Sequence, residues 1–256
     1  MPEKQQKDFL FLHTRDLPYF RAFLRAIESR FYQDIDLPSP TLDVGCGDGH
    51  FAQLTFDRKL EVGLDPWTRP IHEAGTRGVY NVLTEADGAD MPYPDAYFAS
   101  ALSNSVLEHI PHLDAVLVET ARVLKPGAPF YFCVPNTRYL SELSLSRMLG
   151  QGYTEWFRRI SRVAHADEPD VWQKRLENAG FELTRWWHYF SPSSMRVLEW
   201  GHYFGVPSVV ARVLTGRWII APARWNLWLT EHYVRKYASP EPVGNGTFTF
   251  YIARRK

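Results

Sequence analysis

Only two cysteines occur in the 256 residues, Cys46 and Cys133. They lie far apart in sequence, which excludes a disulfide framework. Cys46 falls in a glycine-rich turn and Cys133 in an apolar run, so both read as small buried side chains rather than nucleophiles. A basic excess is missing too: Lys plus Arg and Asp plus Glu number 29 each. A nucleic-acid partner normally demands a positive surplus, so none is expected. No run of 18 or more apolar residues exists, and no membrane-spanning segment is expected. Residues 1–10 are polar and charged, without the apolar core of a signal peptide. The expected location is cytoplasmic, with peripheral membrane contact left open. No metal site is expected.

What is present is unevenly spread. Aromatics make up 15% of the chain, and of nine tryptophans every one except Trp67 lies beyond residue 150. The two halves are therefore built differently. In the first half, Thr41–Val44 reads as a buried strand, Gly45-Cys46-Gly47-Asp48-Gly49 as a tight turn, and Phe51, Ala52, Leu54 and Phe56 as the start of a helix. A dinucleotide fingerprint would read G-x-G-x-x-G. Here the third glycine comes one residue early, at Gly49, and His50 fills its place. Asp43, just before the turn, would repel a pyrophosphate and suit a cation.

Further along, 60–65 (LEVGLD) reads as a second strand ending at Asp65, 79–84 as a third, 97–102 as a fourth and 129–134 as a fifth. Helices are expected over 10–32, where apolar residues recur at helical spacing, and over 112–124. In the second half, 136–165 reads as one or two short amphipathic helices. A helix over 170–179 is stopped by Gly180, a sixth strand covers 181–190, and a final alternating strand covers 247–253. Between the last two, 191–246 reads as an insertion with a helix from Ser191 and a second from near Pro222. The second carries Trp225, Trp228, Leu229, His232 and Tyr233 on one face.

Four stretches, in order, resemble the motifs of the class I S-adenosylmethionine-dependent methyltransferases of small-molecule type. They are D-x-G-x-G-x-G at 43–49, the acidic Asp65, the segment from Asp87 to Asp95, and R-V-L-K-P-G from Arg122 to Gly127. Ala128 replaces the last glycine of the fourth motif. The resemblance covers 41–135 and implies an α/β fold: a Rossmann-like, seven-stranded mixed sheet flanked by helices, its last strand antiparallel beside the sixth. It implies three parts: an N-terminal helical cap (1–40), a cofactor-binding core (41–135), and a C-terminal part of the same domain (136–256) with insertions at 136–165 and 191–246. The cap either covers the pocket or merely a sheet face.

By the same resemblance S-adenosyl-L-methionine is the cofactor. Asp43, Gly45, Cys46, Gly47 and Gly49 would place its methionine end, and Asp65 with Pro66 its ribose. Asp87, Gly88 and Ala89 would meet the adenine, and Ser103 and Asn104 would face the sulfonium and the acceptor. Asp65 read alone could equally cap the following helix, and Asp87 a turn. The implied reaction is methyl transfer to a small-molecule acceptor, and the aromatic insertions point to a hydrophobic or lipid-linked one. Candidate bases are His109, His165, His188 and His202, although a lone histidine is more often structural. Glu108-His109 is a tempting acid/base pair that many relatives carry without catalytic use. The tryptophan-rich insertion reads as core, as a lid over the acceptor or as a membrane-docking surface. Two other classes stay open: a cofactor-binding protein without transfer, and a nucleotide-dependent oxidoreductase, against which His50 speaks.

Overall fold

The computed structural model describes residues 7–256; the start of the N-terminal cap, residues 1–6, lies outside them. Five strands rise in parallel through the first half: β1 (Thr41–Val44), β2 (Leu60–Asp65), β3 (Tyr80–Glu85), β4 (Ser100–Asn104) and β5 (Pro129–Pro135). β6 (Phe181–Tyr189) and β7 (Phe248–Arg255) complete a seven-stranded sheet of order β3-β2-β1-β4-β5-β7-β6. β7 runs antiparallel between β5 and β6, as the resemblance implied. β1 and β5 are buried along their whole length, which is why they read as continuous apolar runs rather than alternating ones.

Helices cover both faces: α1 (Phe9–Thr14), α2 (Tyr19–Phe31), α3 (His50–Thr55) and α4 (Thr68–Arg77), then α5 (Leu113–Val123), α6 (Arg138–Ser141), α7 (Ser146–Ser161, broken at Gly150) and α8 (Pro169–Asn178), then α9 (Pro192–Phe204), α10 (Val206–Thr215) and α11 (Arg224–Arg235). Alternate residues of β7 show how two cores form. Phe248 and Phe250 join Phe23, Ile27 and Tyr32 of the N-terminal helices on one face, whereas Tyr251 and Ala253 join Leu117 and Trp172 on the other.

Three expectations are corrected. The single helix over 10–32 is two, because Pro18 has no N–H to continue α1 and opens α2 instead. The fourth strand begins at Ser100 and runs to Asn104. Tyr97 and Phe98 donate their N–H groups to Val123 O (2.8 and 2.9 Å), and Ala99 donates to Pro40 O (2.8 Å), so this stretch is tied off before the ladder starts. The second insertion holds three helices: α10 was unforeseen, although Gly205 before it and Gly216 after it (φ 73°) mark its ends.

The insertions fold onto each other and onto the cap. Glu199 of α9 is buried and accepts from Ser144 N (2.6 Å), Ser144 Oγ (2.5 Å) and Tyr153 O–H (2.5 Å), which fastens 144–153 to α9. α9 meets α2 closely: Tyr19 O–H donates to Val197 O (3.1 Å), and the Phe20 and His202 rings lie 4.2 Å apart. Gly201 permits the approach, since a Cβ there would lie 2.5 Å from Phe20 Cβ. Gly201→Ala is expected to lower unfolding free energy by about 1–3 kcal/mol through overpacking. Gly152→Ala, in α7 with no atom within 4 Å of its added Cβ, should gain about 0.5–1 kcal/mol. Urea denaturation of both variants checks the contrast; equal effects would contradict this packing.

Candidate active site

The parallel strands end together, and in such sheets ligands bind at the carboxyl edge. Leaving β1, the glycine turn hooks over the end of β2: Gly45 N and Cys46 N both donate to Leu64 O (2.8 and 2.9 Å). Gly45, Gly47 and Gly49 take φ of 78°, 54° and 72°, which only glycine adopts without strain. A Cβ on Gly45 would strike Val106 at 2.3 Å, whereas Gly47 has open space around it. This is a cradle with one closed and one open side. Cys46 is buried, and burial pushes its thiol far above the ordinary range, in keeping with an inert side chain.

Asp65 does two things at the end of β2. It accepts Gly47 N–H on Oδ2 (3.0 Å), pinning the turn, and Trp67 N–H on Oδ1 (3.0 Å), turning the chain through the exposed Pro66 into α4. Burial raises its carboxyl, opposed by these two donors. A carboxylate offers about four acceptor positions, so two remain for a diol. Asp43 is buried within β1 and accepts from Tyr80 O–H (2.7 Å); burial lifts it to about 7. Asp87, in the loop after β3, is exposed and accepts Ala89 N–H (2.9 Å), with His112 Nε2 at 3.2 Å. The turn-capping geometry is therefore present there. Gly88 backs onto Val116 of α5, its would-be Cβ 3.1 Å away. Ser103 points into the sheet and donates to Val44 O (2.8 Å).

α2 roofs this edge. Glu28 is fully buried and accepts from three donors: Asn104 Nδ2 (2.7 Å), Ser105 Oγ (3.0 Å) and Tyr189 O–H (2.7 Å). Cys133 donates its S–H to Asn104 Oδ1 (3.2 Å). Ser105 holds a left-handed φ of 53°, backbone strain of the kind that clusters at functional sites. Arg21 and Arg25 follow one another on α2, four residues apart. The Arg21 guanidinium is drawn down to about 10, first by the like charge of Arg25, with Asp48 opposing. Arg25 keeps a buried Nη1 without a partner among the described residues. The sequence reading missed Glu28, Arg21 and Arg25. They stand on an amphipathic helix where charges read as a solvated face, and no local motif marks them.

Beneath α2 lies a cavity of about 260 Å³ whose walls include Phe20, Arg25, Ser105, Glu108, Tyr139 and His202. Ser105 lines it and the next residue, Val106, packs on Gly45, so the cavity adjoins the cradle. Glu108 follows β4 in a short 3-10 turn. Its Oε2 is buried without a partner among the described residues, and burial lifts its carboxyl to about 8. Of the candidate histidines, His109 and His202 line this cavity. His165 does not; its Nε2 lies 3.0 Å from Ile110 O. Nor does His188, which sits on β6 between Thr249 Oγ1 (2.7 Å) and Asn136 Nδ2 (3.2 Å).

Residues 42–132 match the family described as a methyltransferase domain. A fatty-acid O-methyltransferase of Mycolicibacterium smegmatis is 33% identical over 105 residues, 38% of this chain and 38% of that protein. Ajmaline N-methyltransferase of Rauvolfia serpentina is 27% identical over 196 residues, 70% of this chain and 65% of that one. The chain thus spans less than two thirds of either relative. Among solved structures, an S-adenosylmethionine-dependent methyltransferase of Thermotoga maritima superposes with a TM-score of 0.58 at 17% identity, covering 97% of this chain and 93% of that one. The fold and the cradle define a class I Rossmann-like methyltransferase domain. Residues 42–132 thus carry a methyltransferase domain on a class I Rossmann-like fold, and domain and fold together imply S-adenosylmethionine as cofactor.

Two stability predictions follow from the buried carboxyls. Glu28→Ala leaves three donors unanswered and should cost about 3–5 kcal/mol, with Glu28→Gln costing less; chemical denaturation decides, and equal losses would contradict the role. Glu108 is held protonated when folded up to about pH 8, but the unfolded chain releases that proton above about 4.5. Its contribution is therefore fully present below about 4.5 and lost as pH rises through 8. Glu108→Gln should remove on the order of 3 kcal/mol of the fall in stability between pH 5 and 8, read from melts across that range; an unaltered pH slope would contradict it.

Proposed function

We propose that the protein transfers a methyl group from S-adenosylmethionine to a small, hydrophobic O–H or N–H acceptor held in the cavity beneath α2. The observation that carries this reading is the buried carboxyl of Glu108, its Oε2 without a partner among the described residues, in the wall of a cavity that adjoins the glycine cradle. The donor set suits the cofactor. The open face at Gly47 admits close approach of a ligand. Asp65 retains acceptor positions for the ribose hydroxyls, Asp87 with Gly88 and Ala89 stands at the adenine end, and Asp43 supports the strand end from beneath. Arg25, with its orphaned Nη1, and Arg21 are suited to the cofactor's carboxylate by charge and fork geometry. When bound, S-adenosylmethionine supplies an electrophilic methyl on a sulfonium.

The chain's own residues then position the acceptor, exclude water and take a proton. Phe20, Tyr139 and the buried Phe248 supply apolar wall to the cavity. Glu108 accepts the acceptor's proton, and its elevated carboxyl matches a base working near pH 8. Asn104, gripped by Glu28, supports the sulfonium side of the cavity. A hydrophobic acceptor agrees with these walls, and the fatty-acid methyltransferase among the relatives supports that class. His109 is the alternative base; its Nε2 lies 3.8 Å from Glu108 Oε1.

Isothermal titration should give micromolar S-adenosylmethionine binding, weakened at least about tenfold in Asp65→Ala and Arg25→Ala and unchanged in Glu108→Gln. No binding to the unmodified protein would overturn the reading. With a panel of hydroxylated hydrophobic molecules as acceptors, whose O–H proton must be removed, the rate should climb through pH 8. Glu108→Gln should lose that limb and about 10²–10⁴ in rate. Binding without turnover on any acceptor would support a cofactor-binding protein instead.

A further inference from the structure

α10 and α11 are amphipathic the wrong way round for a packed helix. Val206, Val209, Val210, Val213 and Leu214 fall at offsets 0, 3, 4, 7 and 8, the spacing of a core-facing stripe. Yet α10 buries none of its residues, and Val213 and Leu214 are each 78% exposed. α11 repeats the arrangement. Leu227, Glu231 and Val234 face inward, while Trp225, Trp228 and Leu229 stand 78%, 61% and 72% exposed. Phe204, at the head of the first stripe, and Leu229, in the second, line one apolar groove of about 580 Å³ with Trp200 and Tyr233. Apolar surface on this scale marks an interaction site.

Charge identifies the occupant. Residues 200–230 contain three arginines (Arg212, Arg217 and Arg224) and no aspartate or glutamate. Three carboxylates border this stretch: Glu73 is shared by Arg69 (3.1 Å) and Arg212 (3.5 Å), Asp8 by Arg235 (3.0 Å) and Arg224 (3.6 Å), and Glu231 pairs with Arg235 (3.0 Å); with Arg217 this makes five guanidiniums to three carboxylates. The surround is therefore net positive. A second copy docking through the same face would bring like charges together. Aliphatic and tryptophan side chains ringed by arginine suit the headgroup boundary of an anionic membrane, where the apolar stripe enters the acyl region and the guanidiniums meet phosphate. We infer that α10, α11 and the segment between them form a docking surface for an anionic lipid bilayer. Its outward stripes lie outside the Glu108 cavity, while Arg212, Arg217 and Trp218 also line a pocket of about 420 Å³ with Asp48 and His50 beside the cradle. Docking here needs no methyl transfer and is tested without cofactor or acceptor.

The full chain is floated with phosphatidylcholine vesicles, with and without phosphatidylglycerol, while tryptophan emission is followed. The expected result is co-flotation and a blue shift with the anionic vesicles only, weakened at high salt. The double variant Val213→Asp, Leu214→Asp should lose at least about tenfold in partitioning, and Arg217→Glu should lose part of it, both with unchanged melting because these side chains are exposed. Absence of binding to anionic vesicles overturns the inference. Equal binding to neutral vesicles overturns the role given to charge. Sedimentation showing a dimer that the double variant abolishes, without vesicle binding, assigns the face to a second copy instead.

Discussion

Everything at the carboxyl edge of this sheet depends on one buried carboxylate. Glu28 comes from a helix that precedes the first strand, yet its partners are the end of β4, the residue after it and the end of β6. Desolvating a carboxyl is expensive, and only a full set of donors offsets it. The three donors can be supplied in one relative placement of α2, β4 and β6, so the interaction fixes the roof over the strand ends. That placement brings Arg21 and Arg25 over the glycine cradle and leaves room for the Glu108 cavity between roof and sheet. Glu199 does the same for the two insertions, by collecting Ser144 and Tyr153 onto α9.

The molecule thus carries two kinds of apolar surface with different uses. Phe20, Phe157 and Phe248 pack inward around the cavity and its floor. The stripes of α10 and α11 point outward, where no part of the described chain covers them. A hydrophobic acceptor and a lipid-facing surface make a consistent pair, because Tyr19 lines the outer groove and Phe20 the inner cavity. The two residues are consecutive in the first turn of α2.

From Thr41 to Pro135 the chain was legible because its signals are local. Glycines at fixed offsets fix the turn, a carboxylate ends β2, and Pro126-Gly127 stops the segment after α5. The boundary of β4 was not legible, because a hydrogen bond from Ala99 to Pro40, distant in sequence, sets it. Glu28 and Arg25 were hidden for a related reason: on a helix, a charge aimed at a site has the same spacing as one aimed at water. The stripe at Trp225, Trp228 and Leu229 shows the limit from the other side. Periodicity says that these residues share a face; whether that face is buried depends on what packs against it. The same holds for the histidines, of which the fold brings two to the cavity and leaves two on backbone and strand partners.

The account's central claim is that the cradle and its α2 roof together hold S-adenosylmethionine. Amide hydrogen exchange with and without the cofactor tests it most directly. The prediction is slowed exchange at Gly45–His50, at the end of β2 around Asp65–Trp67, in the Asp87–Ala89 loop and along α2. Unchanged exchange at the glycine turn and α2 on saturation with cofactor would contradict it.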